Sequence, residues 1–370
     1  MKTLLAVLTG IILLSSPAAV YAASLPEADA RLDLYDFSPV ESVLSGSGAG
    51  FSIADLAERA VTGRLELSPE AITQQAGDIF FSGLRESNAL LRNLLIIALL
   101  SAFLKVMTES FKSHAVGELG FYVCFIVLVM LVCASFSVAA GAIRDLVLLL
   151  CAVMEAALPL IVSLLVMSGS VSGAYAFHPL LVFAINAISF AMRDLFTPFI
   201  MLAASAEIVN CISEKEILNR FCALMKLVCG WGLKVAGFLF VSALSLQRLS
   251  APLISGLAGK AAKAALGAVP VVGQALNGAA DLVAYWAGVT KSGVMLAVII
   301  GILILCAVPV LKTLAMILIY KFAAAAVQPI CDPRMVKCLD TAGSYMALLL
   351  GAGVLVCVMF TISALVVMSF

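Results

Sequence analysis

From Ala89 to its end the chain is a succession of apolar runs, each about as long as a bilayer is thick. They lie near 89–107, 119–140, 146–167, 175–192, 195–212, 222–246, 293–319 and 341–369. An α-helix rises about 1.5 Å per residue and a hydrocarbon core is about 30 Å thick, so roughly 20 apolar residues cross it. Backbone groups facing lipid must be satisfied within the chain, and for runs of this length the helix does so. Composition agrees: 63% of residues are hydrophobic and 12% charged, against about 25% charged in an ordinary soluble domain. The expectation is an all-α, polytopic helical membrane protein, with about eight spans over 89–370.

The first 88 residues are of another kind. Lys2, the apolar run Leu4–Leu14 and the small-residue site Val20-Tyr21-Ala22 read as a cleaved signal peptide over 1–22. An apolar run of about eleven residues is short for an anchor helix. Cleavage would leave 23–88 as a short exported helical segment. It is acidic, with eleven Asp and Glu against four Arg and no Lys. Ile53, Leu56, Ala57 and Ala60 have helical spacing. Ser68-Pro69-Glu70 has the form of a helix start. All ten cysteines come later, from Cys124 to Cys357, which excludes a disulfide within the front segment.

Charge orients the spans. With the front segment outside, Lys105, Lys112, Lys215, Arg220, Lys321, Arg334 and Lys337 all fall inside, as the positive-inside rule requires. The exception is the stretch 247–293, whose Arg248, Lys260, Lys263 and Lys291 fall outside. Either the span count is off by one, or these cations are held outside. Both readings stay open.

That stretch is also compositionally odd. It is crowded with small residues, among them Gly256, Gly259 and Gly267, and from Ala261 to Ala284 its polar residues are Lys263, Gln274, Asn277 and Asp281. Small residues at four-residue spacing let membrane helices approach closely. Lys260 and Lys263 share one face, and Pro270 with Gly273 would divide the stretch into two half-helices, the second ending at Trp286. Discontinuous helices of this kind line cavities in transporters. The segment is therefore a candidate pore lining or oligomer contact, with a kinked structural helix as the alternative.

Enzymatic signatures are missing. His114 and His178 are the two histidines, neither in an HExxH, and Gly169-Ser170-Val171-Ser172-Gly173 departs from the serine motif of intramembrane proteases. No phosphate-binding loop, CxxC or metal-ligand spacing occurs. An enzyme is not expected, nor a cofactor, nor a nucleic-acid partner. The candidate polar residues within spans are Glu155, Glu207, Asn210 one turn beyond Glu207, Lys226, Lys234 and Lys312. Charge in a bilayer is costly and marks a pathway or an internal pair, although lysines can snorkel to the interface. A Glu155–Lys234 pair is conceivable.

Certain stretches carry a resemblance: Leu158-Pro159-Leu160 through Ser168-Gly169-Ser170, Ala206-Glu207-Ile208-Val209-Asn210, Ser250-Ala251-Pro252, Lys260-Ala261-Ala262-Lys263 and Val269-Pro270-Val271-Val272-Gly273. In order and spacing the chain resembles the stage III sporulation protein AE family of endospore-forming bacteria. The resemblance implies a subunit of a mother-cell membrane complex, made with sibling proteins of one operon and meeting a forespore membrane protein across the intermembrane space. It implies a multi-pass location in the membrane around the forespore, with the front segment in the intermembrane space and lipid as surroundings. Catalytic residues are not implied. A secondary transporter acting alone is the alternative, with Glu155 or Glu207 coupling ion to substrate.

Overall fold

The computed structural model describes residues 35–46, 51–62, 69–110, 114–167, 179, 182–183, 185–212, 218–242 and 272–368. The expected signal peptide lies outside them. The described residues form an all-helical structure whose elements are α1 (Ser38–Gly46), α2 (Ile53–Val61), α3 (Pro69–Glu86), α4 (Asn88–Ser110) and α5 (His114–Met167). They continue with α6 (Ile185–Cys211), α7 (Asn219–Ser242), α8 (Val272–Val327) and α9 (Pro333–Met368). Among the described residues six helices are long and apolar enough to cross a membrane, one running over Ala76–Phe103 across the α3–α4 junction and the others within α5 to α9. The protein is a polytopic helical membrane protein.

The front segment forms helices where its spacing predicts them. Asp36 opens α1 by accepting from the Ser38 backbone N–H at 3.0 Å and from the Ser38 hydroxyl, and these bonds hold its carboxyl below the usual range. Ser52 caps α2, accepting from the Asp55 N–H at 3.3 Å. The apolar face Ile53, Ala57, Ala60 and Val61 is buried. α3 starts at Pro69, where a missing N–H costs a helix nothing. It runs almost directly into α4: Ser87 N–H bonds to Gly83 O at 3.0 Å, and Leu91 N–H to Ser87 O at 3.2 Å.

Two pairs of expected spans are single helices. Runs 119–140 and 146–167 both lie on α5, 54 residues long and unbroken at Arg144-Asp145. No proline stands there, and charge alone does not stop a helix. Run 195–212 and the described end of run 175–192 likewise share α6, joined by a π-helical stretch over Ala191–Phe196. Arg193 and Asp194 pair at 3.2 Å within this wider turn, and the Thr197 hydroxyl donates to Met192 O at 2.7 Å. One extra residue per turn accommodates the dipeptide without a break.

α8 and α9 form the longest hairpin. Lys321 bridges the two helices nearly two turns inside the hairpin turn: its ammonium pairs with Asp340 at 2.6 Å and donates to the Ser344 hydroxyl at 2.9 Å. Further along, Cys306 and Cys357 form a disulfide between the two helices, with Cα atoms 6.8 Å apart. A single hydrophobic core links this hairpin to α5, α6 and α7, and it also takes in Val40 and Leu44 of α1 and Ile53 and Ala57 of α2.

Candidate intramembrane polar site

The polar residues of α6 meet those of α7 and α9. Glu207 and Asn210 stand one turn apart on one face of α6. Asn210 is 3% exposed, and its Oδ1 accepts from the Leu218 N–H at 3.0 Å, which ties the end of α6 to the start of α7. That bond fixes the amide: Nδ2 is the group turned inward, and it has no partner. The Glu207 carboxylate lies against the phenol of Tyr345 on α9. Yet no well-formed hydrogen bond joins them, and Glu207 Oε2 and Tyr345 Oη are both buried without a partner. From α7, the Lys226 ammonium sits 5.0 Å from the Tyr345 ring centroid, within the range of a cation–π contact. Buried polar atoms without partners are rare in folded proteins. Three of them on two packed helices, flanked by an ammonium, make this the most chemically distinctive place among the described residues.

An acceptor (the carboxylate), a donor (the amide) and a group that does both (the phenol) can together hold a small hydrogen-bonding species. About three turns from Glu207, α7 approaches α6 closely because it has glycine at the contact: a Cβ on Gly232 would stand 2.7 Å from Phe196 Cε1.

The other singled-out residues fall elsewhere. Glu155 is exposed on α5. Lys234 is exposed on α7 with its ammonium 5.9 Å from the Trp231 ring centroid. Among the described residues no ion pair joins Glu155 to Lys234. Lys312 instead pairs with Glu86 of α3 at 2.8 Å, a partner that sequence reasoning passed over because it sits in the acidic front segment. Tyr345 was equally hidden, as one aromatic residue inside an apolar run.

Of the candidate pore or oligomer segment, Gly256, Gly259, Lys260, Lys263, Gly267 and Pro270 lie outside the described residues. Gly273 and Asp281 lie on α8. The expected second half-helix does not end at Trp286: α8 continues without a break from Val272 through Gly293 to Val327. No proline interrupts it before Pro309, and Lys291 at the expected boundary is buried, 5% exposed.

Comparison with known proteins agrees with the resemblance. The profile of the family described as "Stage III sporulation protein AE" matches residues 51–370. A protein named Stage III sporulation protein AE from Bacillus subtilis (strain 168) is 25% identical over 310 residues, covering 84% of this chain and 78% of that one. No solved structure matches. With its profile matched from Phe51 to the last residue, this chain belongs to the stage III sporulation protein AE family.

Proposed function

We propose that this chain is an integral membrane subunit of the sporulation channel complex between mother cell and forespore, needed for forespore development. The observation that carries the reading is the family match over 51–370, on a chain whose described residues include six span-length helices. In this reading the partners are sibling mother-cell membrane proteins of the same operon and, through them, a forespore membrane protein. The front segment stands in the intermembrane space. The small-residue stretch 247–293 makes the oligomer contact or lines the conduit, because Gly256, Gly259 and Gly267 leave room for a neighbouring backbone.

Replacing Gly259 or Gly267 with Leu tests this. The variants are expected to insert and accumulate normally but to lose complex assembly, read by co-purification of the sibling proteins, and to lose forespore support. Normal sporulation and co-purification in both variants would exclude the role given to the stretch.

A second reading is favoured by the Glu207–Asn210–Tyr345 cluster: a secondary transporter acting on its own, with Glu207 as the coupling group. Purified chain in liposomes decides between them. Solute uptake without any partner, abolished by Glu207→Gln, supports the transporter.

A further inference from the structure

We infer that two copies of this chain meet inside the bilayer through the face made by α5, α6 and α7, with α6 at the two-fold axis. That face is apolar but crossed by charge. Arg144 and Asp145 are exposed on α5, Arg193 and Asp194 on α6, and Lys234 on α7. Exposed apolar side chains stand on both sides of them along each helix: Val138 and Val166 on α5, Phe190 and Leu202 on α6, Trp231 and Phe238 on α7. The charges therefore lie within the apolar depth of the molecule and do not mark its edge. Asp194 is nine residues inside one end of the apolar part of α6, and Lys234 eight inside that of α7, about 12–14 Å along the axis.

Packing contacts bring these charges to one height. A Cβ on Gly353 of α9 would stand 3.2 Å from Ile143 of α5, and one on Gly237 of α7 would stand 2.9 Å from Leu355 of α9. Gly232 of α7 meets Phe196 of α6 in the same way. Arg144-Asp145, Arg193-Asp194 and Lys234 each lie within about one turn of one of these contacts, so the five form a belt. α6 is its middle member, touching α7 through Phe196 and α5 through Ser189, whose hydroxyl meets the Cys151 thiol.

Charge facing hydrocarbon is costly and calls for a partner. Lysine and arginine can snorkel along their stems, but the two aspartates are too short to do so. The π-helical turn of α6 leaves Arg193, Asp194 and Leu195 exposed in succession, and turns of this kind recur at functional sites. Arg193 and Asp194 pair with each other, whereas Asp145 and Lys234 form no ion pair among the described residues. The mixture of signs selects the occupant. A partner presenting only acid or only base would leave the other sign unmatched. A second copy brings the same mixture at the same depth, because a two-fold axis along the membrane normal keeps every residue at its own height. With α6 on the axis, α5 of one copy faces α7 of the other. Asp145 then meets Lys234 of the other copy, twice over, and Arg193-Asp194 meets its own counterpart with the signs crossed.

The test is charge reversal in the full chain, with association read by energy transfer between donor- and acceptor-labelled copies in phospholipid vesicles. Asp145→Lys and Lys234→Asp are each expected to weaken association at least about tenfold, as like charges brought together do. The double variant, with the signs exchanged, is expected to recover most of the loss. No transfer between unmodified copies overturns the inference. So do single reversals without effect, or a double variant as weak as either single one. Cross-linking covers a reversal that fails to fold. A chain with Asp145→Cys and Lys234→Cys, keeping the Cys306–Cys357 disulfide and alanine at the other native cysteines, is expected to form covalent dimers on oxidation. Phe322→Cys on α8 in the same background is not. Equal cross-linking at both places, or none at 145 and 234, overturns the inference. In membranes that also hold the sibling proteins, loss of a sibling instead of the second copy on charge reversal would assign the face to that sibling and overturn it as well. The complex assignment survives any of these results.

Discussion

At the scale of single residues, the partnerless atoms of the polar site make opposite demands on two neighbours. The Tyr345 hydroxyl is buried with no partner, so it bears a desolvation cost of about 1–3 kcal/mol with nothing gained in return. Tyr345→Phe keeps the ring under Lys226 and removes only that oxygen. It is expected to leave thermal stability in detergent unchanged or raised. Asn210→Ala, by contrast, removes the acceptor of the Leu218 N–H and is expected to cost about 0.5–1.5 kcal/mol. A Tyr345→Phe loss as large as that of Asn210→Ala would show that the hydroxyl has a partner, either Glu207 or a bound water.

At the scale of elements, two glycines separate what a helix needs inside itself from what its neighbours need of it. Gly141 lies in the middle of α5 with open space around a Cβ. If α5 is continuous there, Gly141→Ala is expected to stabilise by about 0.5–1 kcal/mol, the helix-interior penalty of glycine. If 140–145 were a turn, the same change would gain nothing. Gly293 is the reverse case: a Cβ there would overlap Val61 Cγ2 and stand 3.2 Å from the Val61 backbone. Gly293→Ala is expected to cost about 1–3 kcal/mol, as overpacking does, and to expose α2 to protease before the other helices. Thermal unfolding with limited proteolysis reads both variants.

These elements also show what could be read from sequence and what could not. The apolar runs mark every described span, because hydrophobic length is a local property. Runs 119–140 and 146–167, and runs 175–192 and 195–212, read as separate spans because a charged pair such as Arg144-Asp145 or Arg193-Asp194 between greasy runs looks the same at an interfacial turn, inside a continuous helix or in a π-helical stretch. Only the neighbours decide, and α1 and α2 are more than 80 residues away in sequence. The polar site was half legible. Glu207 and Asn210 declare themselves by their three-residue spacing on one helix. Tyr345 comes from another element, and an aromatic residue in a run such as Tyr345–Leu350 carries no local sign that its hydroxyl is buried beside a carboxylate.

At the scale of the whole molecule, the acidic front segment is part of the core. The change of composition near residue 88 suggests a boundary between an exported module and a membrane body, yet Val40, Leu44 and Ile53 are at most 1% exposed in a core shared with α5 and α8. Re-exposing three such side chains costs about 1.5–3 kcal/mol each, on the order of the whole stability of a domain. A chain that keeps residues 1–34 but lacks 35–62 should therefore fail as a protein instead of losing one interaction. It is expected to reach the membrane in low yield and to elute as aggregate after detergent extraction, because the core residues that Val40, Leu44 and Ile53 cover would be left bare. A well-behaved truncated protein, monodisperse and as heat-stable as the full chain, would mean that α1 and α2 form a separable module. Loss of partner proteins from the deletion would then be direct evidence of where they bind. If the truncated chain aggregates, the same loss says nothing about binding. Point changes on the outward face of α2, such as Asp55→Ala and Glu58→Ala, which leave Ile53 and Ala57 in place, are then the variants that report on partner contact.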